Sequence, residues 1–357
     1  MVIKLKYGTY ETLKKKRLFL TLIFISILGT GFRDVEATGK TSFNQISFQL
    51  DNDTFFYTDR QYTNGVRFQW TSGRLLHYSD HVFLPDFVDK WVPAIPNGSM
   101  DHDVKWMSYY LGQNIYTPDN LRAENVIEDD RPYAGILYQG INLYRIRGKV
   151  RYIYTMITGL VGPKALGGEA MEDMHSHFHW QVPRGWDNQL KNEPILNLGF
   201  QIKRKLQWPD EAVHWGTAAL PAISVAVGNG YTGLSSGVEF LFGTLADTEF
   251  GSTQLNSNLS VFNPHSHTSL ADLLGVTCSV ALNGNWIIHD VTLDGNTFQP
   301  SHHVRKEPLT VQLSMGIGVK LKYIKLNFSH VWQTRQFKTQ SHPHQYGVLS
   351  MTLLKCP

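Results

Sequence analysis

Three polar islands in the first half of this 357-residue chain carry side chains that turns alone do not require. The first runs Asp51-Asn52-Asp53-Thr54-Phe55-Phe56 and leads into Tyr62-Thr63-Asn64-Gly65. The second joins Gly112-Gln113-Asn114-Ile115-Tyr116-Thr117-Pro118 to Asp129-Asp130-Arg131-Pro132-Tyr133-Ala134-Gly135. The third passes from Gly162-Pro163 through His175 to Pro183-Arg184-Gly185-Trp186-Asp187-Asn188-Gln189-Leu190. Carboxylates, a carboxamide, a hydroxyl and an imidazole gathered in this way are the parts of a site that holds a cation and moves a proton.

Each group also has a plainer role. Asn52 and Asp53 offer oxygens to a hard cation such as calcium, which takes six to eight of them. They equally cap turns by bonding their own backbone. Thr63-Asn64-Gly65 is a hairpin signal first, with Thr63 a polar contact second. Asp130-Arg131 either binds an anion or braces a loop through a bidentate ion pair, and bracing is expected. His175 is the sharpest candidate for a general base toward water, because imidazole titrates near neutral pH. The plain alternative is an exposed helical histidine, one of 15 in the chain. His175, His177 and His179 would share a face on a strand but scatter on a helix, so a zinc cluster is not expected. Neither is the strand-to-helix nucleophile elbow of a serine esterase.

These residues need elements to hold them. An apolar fraction of 42%, a charged fraction of 18% and a mean hydropathy of −0.23 exclude a helical membrane protein and a disordered chain. A net charge of +3 is too small to imply nucleic acid. Lys14-Lys15-Lys16-Arg17 precedes an apolar run from Leu18 to Leu28, with small residues near Ala37. That order predicts a secretory signal peptide over 1–38 and export of the remainder. Cys278 and Cys356 lie in no metal spacing and read as inert thiols.

The mature chain alternates with period two, as in Leu196-Asn197-Leu198-Gly199-Phe200-Gln201-Ile202-Lys203 and Ile324-Lys325-Leu326-Asn327-Phe328-Ser329. About twelve such stretches occur, near 43–51, 62–72, 104–115, 132–146, 149–162, 194–206, 212–228, 232–243, 272–287, 308–319, 321–333 and 345–355. Several reach the length that a tilted strand needs to cross a bilayer. Backbone in lipid must be paired within the protein, so the expected fold is all-β: a closed antiparallel transmembrane β-barrel of about 12 strands, one domain over 39–357. The good helix formers between Ala165 and about His177 predict a short inserted helix, with Met171, Met174 and Phe178 at helical spacing. The stretch from Thr244 to Ala271, rich in Ser, Asn, Thr and His, reads as a long polar outer loop.

Taken together and in order, the islands resemble one family, the outer-membrane lipid A 3′-O-deacylases of the LpxR type. The likeness is collinear from about Asn44 to Pro194 through Asn52-Asp53, Tyr62-Thr63-x-Gly65, Gln113-x-Ile115-Tyr116-x-Pro118, Asp130-Arg131, Gly162-Pro163 and His175. The resemblance implies a twelve-stranded outer-membrane barrel with its site near the rim, between wall and lipid. It implies a calcium ion, held through Asn52 and Asp53, that polarises an ester carbonyl, with His175 activating water and Thr63 positioning. The partners implied are lipid A of lipopolysaccharide and the surrounding membrane lipids, on a barrel expected to be a monomer. Two positions depart from the family pattern: its glutamate falls on Gln181, and its basic residue falls on Ala123, one place from Arg122. Arg122 and Gln181 are therefore the expected contacts to substrate. Two other readings stay open: a noncatalytic barrel serving as a pore or structural protein, and a related esterase acting on phospholipid.

Overall fold

The computed structural model describes residues 43–56, 60–92, 103–208, 215–244 and 274–354. The expected signal peptide and most of the 244–271 stretch lie outside the described residues. Thirteen strands follow in chain order: β1 (Phe43–Asn52), β2 (Gln61–Ser72), β3 (Val104–Thr117), β4 (Ala134–Arg147), β5 (Val150–Val161), β6 (Glu193–Arg204), β7 (Leu206–Trp208), β8 (Gly216–Gly228), β9 (Tyr231–Gly243), β10 (Leu274–Asp290), β11 (Leu309–Leu321), β12 (Ile324–Gln333) and β13 (His344–Leu354). All described pairings are antiparallel between neighbours, β1 pairs with β13, and β6 pairs with β8, which closes the sheet. The three-residue β7 continues the line of β6 past Lys205 and pairs with β8 lower down. The barrel thus has the twelve staves expected, one of them broken.

Alternation decides which side of the wall each residue faces. Leu196 and Leu198 on β6, Ile223, Val225 and Val227 on β8, and Leu326 and Phe328 on β12 point outward and are exposed. Closed pairing leaves no backbone edge, and the outward row is apolar, which together satisfy the demands of lipid. The bore is filled. At the end that carries Asn52, Tyr62, Tyr116, Tyr138, Tyr231 and Tyr346 pack with Ile136, Ile287 and Val331 in one buried cluster. Room for the rings comes from neighbouring strands: a side chain at Gly112 would strike Tyr138, and one at Gly140 would strike Tyr110. The other half of the bore is polar, with Lys203 donating to Glu239 at 3.3 Å.

The two ends differ. The connections over 53–60, 118–133, 162–192, 291–308 and 334–343 form the end that carries the candidate residues. Phe43, Leu354, the described part of the connection from Gly73 to Val92 and the tight turn at Gly148 lie at the opposite end. Thr244 and Leu274 also mark that opposite end, so the polar stretch between them starts and finishes away from the candidate site.

At the same far end, Asp103 precedes β3 and binds Arg145 and Arg147 of β4, the second at 2.9 Å. Burial alone would push the Asp103 carboxyl up, but hydrogen bonds from Arg147 and Arg145 outweigh it and hold the group below its ordinary value. A carboxyl that titrates lower in the folded state than in the unfolded one adds stability above pH about 4, lost as pH falls through the folded value. Asp103→Asn should therefore cost about 2 kcal/mol at neutral pH, by weakening the hydrogen bonds of the buried Arg145. Urea midpoints of both proteins in vesicles should converge as the pH drops.

Candidate active site

The chain leaves β5 for the site through Gly162, whose φ of 105° is open to glycine but strained for other residues. A 3-10 turn over Pro163–Ala165 and a left-handed Leu166 then redirect it into a helix, Gly167–Phe178. This rim helix starts two residues later than the composition suggested. Its buried stripe is Gly167, Gly168, Met171 and His175, whereas Phe178 is exposed. Of the three residues expected to mark the buried face, Met171 alone is fully buried, because glycine and histidine contribute nothing to an apolar period.

The helix lies on the outside of the barrel. Ile115 and Gly135 are outward positions of β3 and β4, paired with each other. Met171 packs with Ile115, Leu121 and Tyr133, and Gln113 donates to the carbonyl of Ala165 at 2.6 Å. A Cβ at Gly135 would lie 2.9 Å from the Gly167 backbone, and one at Gly167 would lie 2.7 Å from Gly135. Two glycines meeting back to back let the helix axis approach the wall.

Asn64 Nδ2 contacts Met174 Sδ at 3.8 Å, which sets the helical turn bearing His175 against β2. Asn64 pairs with Asn52 across β1 and β2. The β2–β3 ladder shifts register between Tyr62 and Asn64, so Thr63 is an extra residue in a bulge. A bulge re-aims the side chains around it. Tyr62 points into the bore, where it donates to Asp51 at 3.1 Å, while Val66, Phe68 and Trp70 face outward with Asn64. Thr63 Oγ1 lies 2.7 Å from Thr117 Oγ1 of β3. The His175 turn thus meets β2 at Asn64, the strand partner of Asn52 and the neighbour of Thr63.

His175 is 0% exposed. Its Nδ1 lies 2.6 Å from the backbone carbonyl of Gln181, and the Trp180 ring stands edge-on at 5.6 Å. A carbonyl only accepts, so Nδ1 of the neutral ring carries the proton and Nε2 holds the lone pair. The tautomer is the one that a base needs. Gln181 meets the histidine through its main chain; its side chain is exposed and donates to Val182 O at 3.1 Å. The family glutamate missing here is therefore not what orients this imidazole. His177 lies on the opposite helix face from His175 and is exposed, and His179, the left-handed residue that ends the helix, is exposed as well.

Asn52 and Asp53 do act as turn caps. Asn52 Oδ1 accepts from Thr54 N at 2.7 Å and from the Thr54 hydroxyl, and Asp53 Oδ2 accepts from Arg60 N at 2.7 Å. Both are buried. No group of three or more His, Cys, Asp or Glu side chains that could hold a metal occurs among the described residues, so a zinc-type site does not fit. What the site offers is oxygen from one carboxylate, one carboxamide and threonine hydroxyls, the hard donors that calcium takes. Asp53 would be the anionic ligand, and Asn52 would join it by releasing the Thr54 turn.

Arg131 braces the rim, but not within its own motif. Its guanidinium donates to Thr292 Oγ1 at 2.7 Å and Gln336 Oε1 at 3.2 Å and lies over the Tyr116 ring at 4.7 Å. Asp130 instead accepts backbone N–H groups of Asp119 and Arg131. Burial pulls the guanidinium below its ordinary value, opposed by the charge of Asp290. Arg122 is exposed on the 118–133 connection, its N–H donating to Asn120 Oδ1 at 3.1 Å. That connection is tied to the segment after the helix by Arg184 N donating to Leu121 O at 2.9 Å.

On the other flank of Asn52 stands an aromatic wall that reading along the chain misses. Phe56 stacks on His330 at 3.4 Å, His330 faces Trp332 at 3.6 Å, and Phe55 sits edge-on to Phe328 at 5.7 Å. The available signal was the outward row Phe328, His330, Trp332, whose middle residue pairs with Gly347, the partner of Asn52. Gly233-Leu234-Ser235-Ser236-Gly237 does have nucleophile-elbow spacing, but it runs inside β9, paired with β8 and β10, and makes no strand-to-helix turn.

Comparison with known proteins places these features in context. The model of the family described as "Outer membrane protein LpxR" matches residues 18–354. The solved structure of LpxR from Salmonella typhimurium is similar with a TM-score of 0.70 at 16% identity, covering 87% of this chain and 99% of that one. The β domain of the Bordetella autotransporter BrkA covers 88% of this chain and 99% of its own at 9% identity, with a TM-score of only 0.41. No curated protein matches by sequence.

The glycine contact gives a direct test of how the helix is held. Gly167→Val places methyl groups where the Gly135 backbone already is, an overpacking cost of about 2 kcal/mol. Amide exchange over 167–178 should quicken by about 30-fold while β10 and β11 keep their protection, since 1.4 kcal/mol is tenfold.

Proposed function

Because the chain belongs to the LpxR family of outer-membrane proteins, we propose that it is a calcium-dependent hydrolase that removes the 3′-O-linked acyloxyacyl group from lipid A. The observation that carries this reading is the buried His175, its Nδ1 proton fixed by the Gln181 carbonyl, on an outer-wall helix whose Met174 meets Asn64, the strand partner of Asn52. A base on the lipid-facing side of a barrel meets substrates that lie in the membrane.

In this mechanism Nε2 of His175 takes a proton from water as the water oxygen bonds to the ester carbonyl carbon. The tetrahedral species then breaks the bond between that carbon and the sugar 3′-oxygen. The proton on Nε2 passes to the departing oxygen, leaving a carboxylic acid and a lipid A 3′-hydroxyl. Gln181 O holds the imidazole in plane throughout and stabilises the charged ring. Thr63, fixed by Thr117, positions the reacting ester. Calcium, when bound through Asp53 and Asn52, supplies a Lewis acid for the carbonyl oxygen. Arg122 and Gln181, both exposed at the rim, are the proposed contacts to the phosphorylated sugar. The filled bore, with its tyrosine cluster across the site end, speaks against a pore.

Mass spectra of lipid A from cells making the protein should lose one acyloxyacyl unit. His175→Ala should slow that loss by about 10^3-fold, the range of a general base. An unchanged spectrum from the active chain would reject the lipid A reading, and phospholipid turnover in its place would redirect it to a related esterase. Asp53→Asn should shift half-maximal activity to higher calcium; full activity in chelator would remove the ion from the scheme.

A further inference from the structure

The connection between β2 and β3 does not hang free of the barrel. From Gly73 to Val92 it runs along the outside of the wall at the end opposite the candidate site. Leu75, Tyr78 and Leu84 pack onto the outward residues Phe43, Ile46, Trp70 and Met107, with Phe68, Tyr109 and Ile141 alongside. Lipid would otherwise occupy that surface.

The segment satisfies its own backbone. Leu75 N donates to Lys105 O at 2.8 Å, and Tyr78 N and Ser79 N both donate to the Asp89 carboxylate, at 2.9 and 3.0 Å. His77 N donates to Asp80 Oδ2 at 2.7 Å, and Leu84, Val88 and Val92 donate to carbonyls three or four residues back. Non-strand backbone at membrane depth is tolerated only where it is buried against protein, and here Leu75, Tyr78 and Leu84 hold the segment against the wall while much of its backbone is paired. A water-facing loop has no such need.

Its free face is apolar. Leu76, Phe83 and Phe87 are 74%, 67% and 57% exposed, and Phe83 stacks on the strand residue Phe43 at 5.6 Å. The patch therefore continues the lipid-facing belt of the barrel. Arg74, Asp86 and Lys90 are exposed and give the segment the charged edge of an element lying in an interface.

We infer that residues 73–92 form a membrane-embedded apron, with Leu76, Phe83 and Phe87 among the acyl chains of the diacyl phospholipid leaflet nearer the chain termini. The inference rests on the membrane-spanning barrel and not on the reaction proposed above.

The test uses the full, unsubstituted barrel in vesicles of phosphatidylethanolamine and phosphatidylglycerol carrying an acyl-chain diazirine phospholipid. After irradiation, lipid adducts should appear on the peptide between Arg74 and Lys90 at a yield comparable with that on β10. Adducts on β10 with none on that peptide overturn the proposal. An independent reading uses nitroxides at Leu76→Cys, Phe83→Cys and Phe87→Cys, each in a Cys278→Ser, Cys356→Ser background. Collisions with oxygen should exceed those with a water-soluble nickel complex, as at Leu282→Cys on the outer wall. Nickel accessibility like that of Asp129→Cys in an outer connection, or labels shielded from both reagents, overturns it.

Discussion

Two backbones meeting at Gly135 and Gly167 are the contact on which the candidate site depends. Neither residue brings a side chain, so the rim helix approaches close enough for Met171 to reach Ile115 and for His175 to be covered. A helix standing one side chain further out would leave the imidazole open on one side to solvent or lipid. Burial matters to the proposed reaction because electrostatic effects on a reacting ester are larger where water is excluded. The chain reaches this position by a short strained path, Gly162 at positive φ and Leu166 left-handed, which fixes the direction in which the helix departs from β5.

The barrel supplies the other half of the site through an irregularity. In a regular β2 ladder, Thr63 would follow strict alternation between Tyr62 and Asn64. The bulge there lets Tyr62 point into the bore while Asn64 joins the outward row with Val66 and Phe68. The bore underneath, with tyrosines packed at tilted and edge-on angles and Arg131 tying loop to loop, supports that rim. Packing thus lies inside the cylinder and the candidate site on its outer skin.

Much of the fold was legible along the chain. Alternation in lipid-facing strands is a backbone consequence of period two, and twelve stretches were located with ends within a few residues of those observed, β7 excepted. That short strand is missed because three residues past a break carry no period. The turn-capping side of Asn52 was also readable, since its side chain and the Thr54 backbone lie two residues apart, whereas Asp53 reaches further, to the backbone of Arg60. Less was readable of partners remote in sequence: Arg131 with Thr292 and Gln336, or Phe56 with His330.

By itself the sequence determined a closed barrel of twelve staves and a short helix before the Trp186 segment, because these follow from local period and composition. Tertiary structure alone decided that the helix lies on the outer wall, that Gln181 serves His175 through its carbonyl and not its amide, and that the 73–92 connection clothes the far end of the barrel. The physical reason is that these depend on close approach between segments distant along the chain. Such approach is set by the absence of side chains, as at two glycines, and by the direction of main-chain carbonyls, neither of which leaves a periodic mark in a sequence.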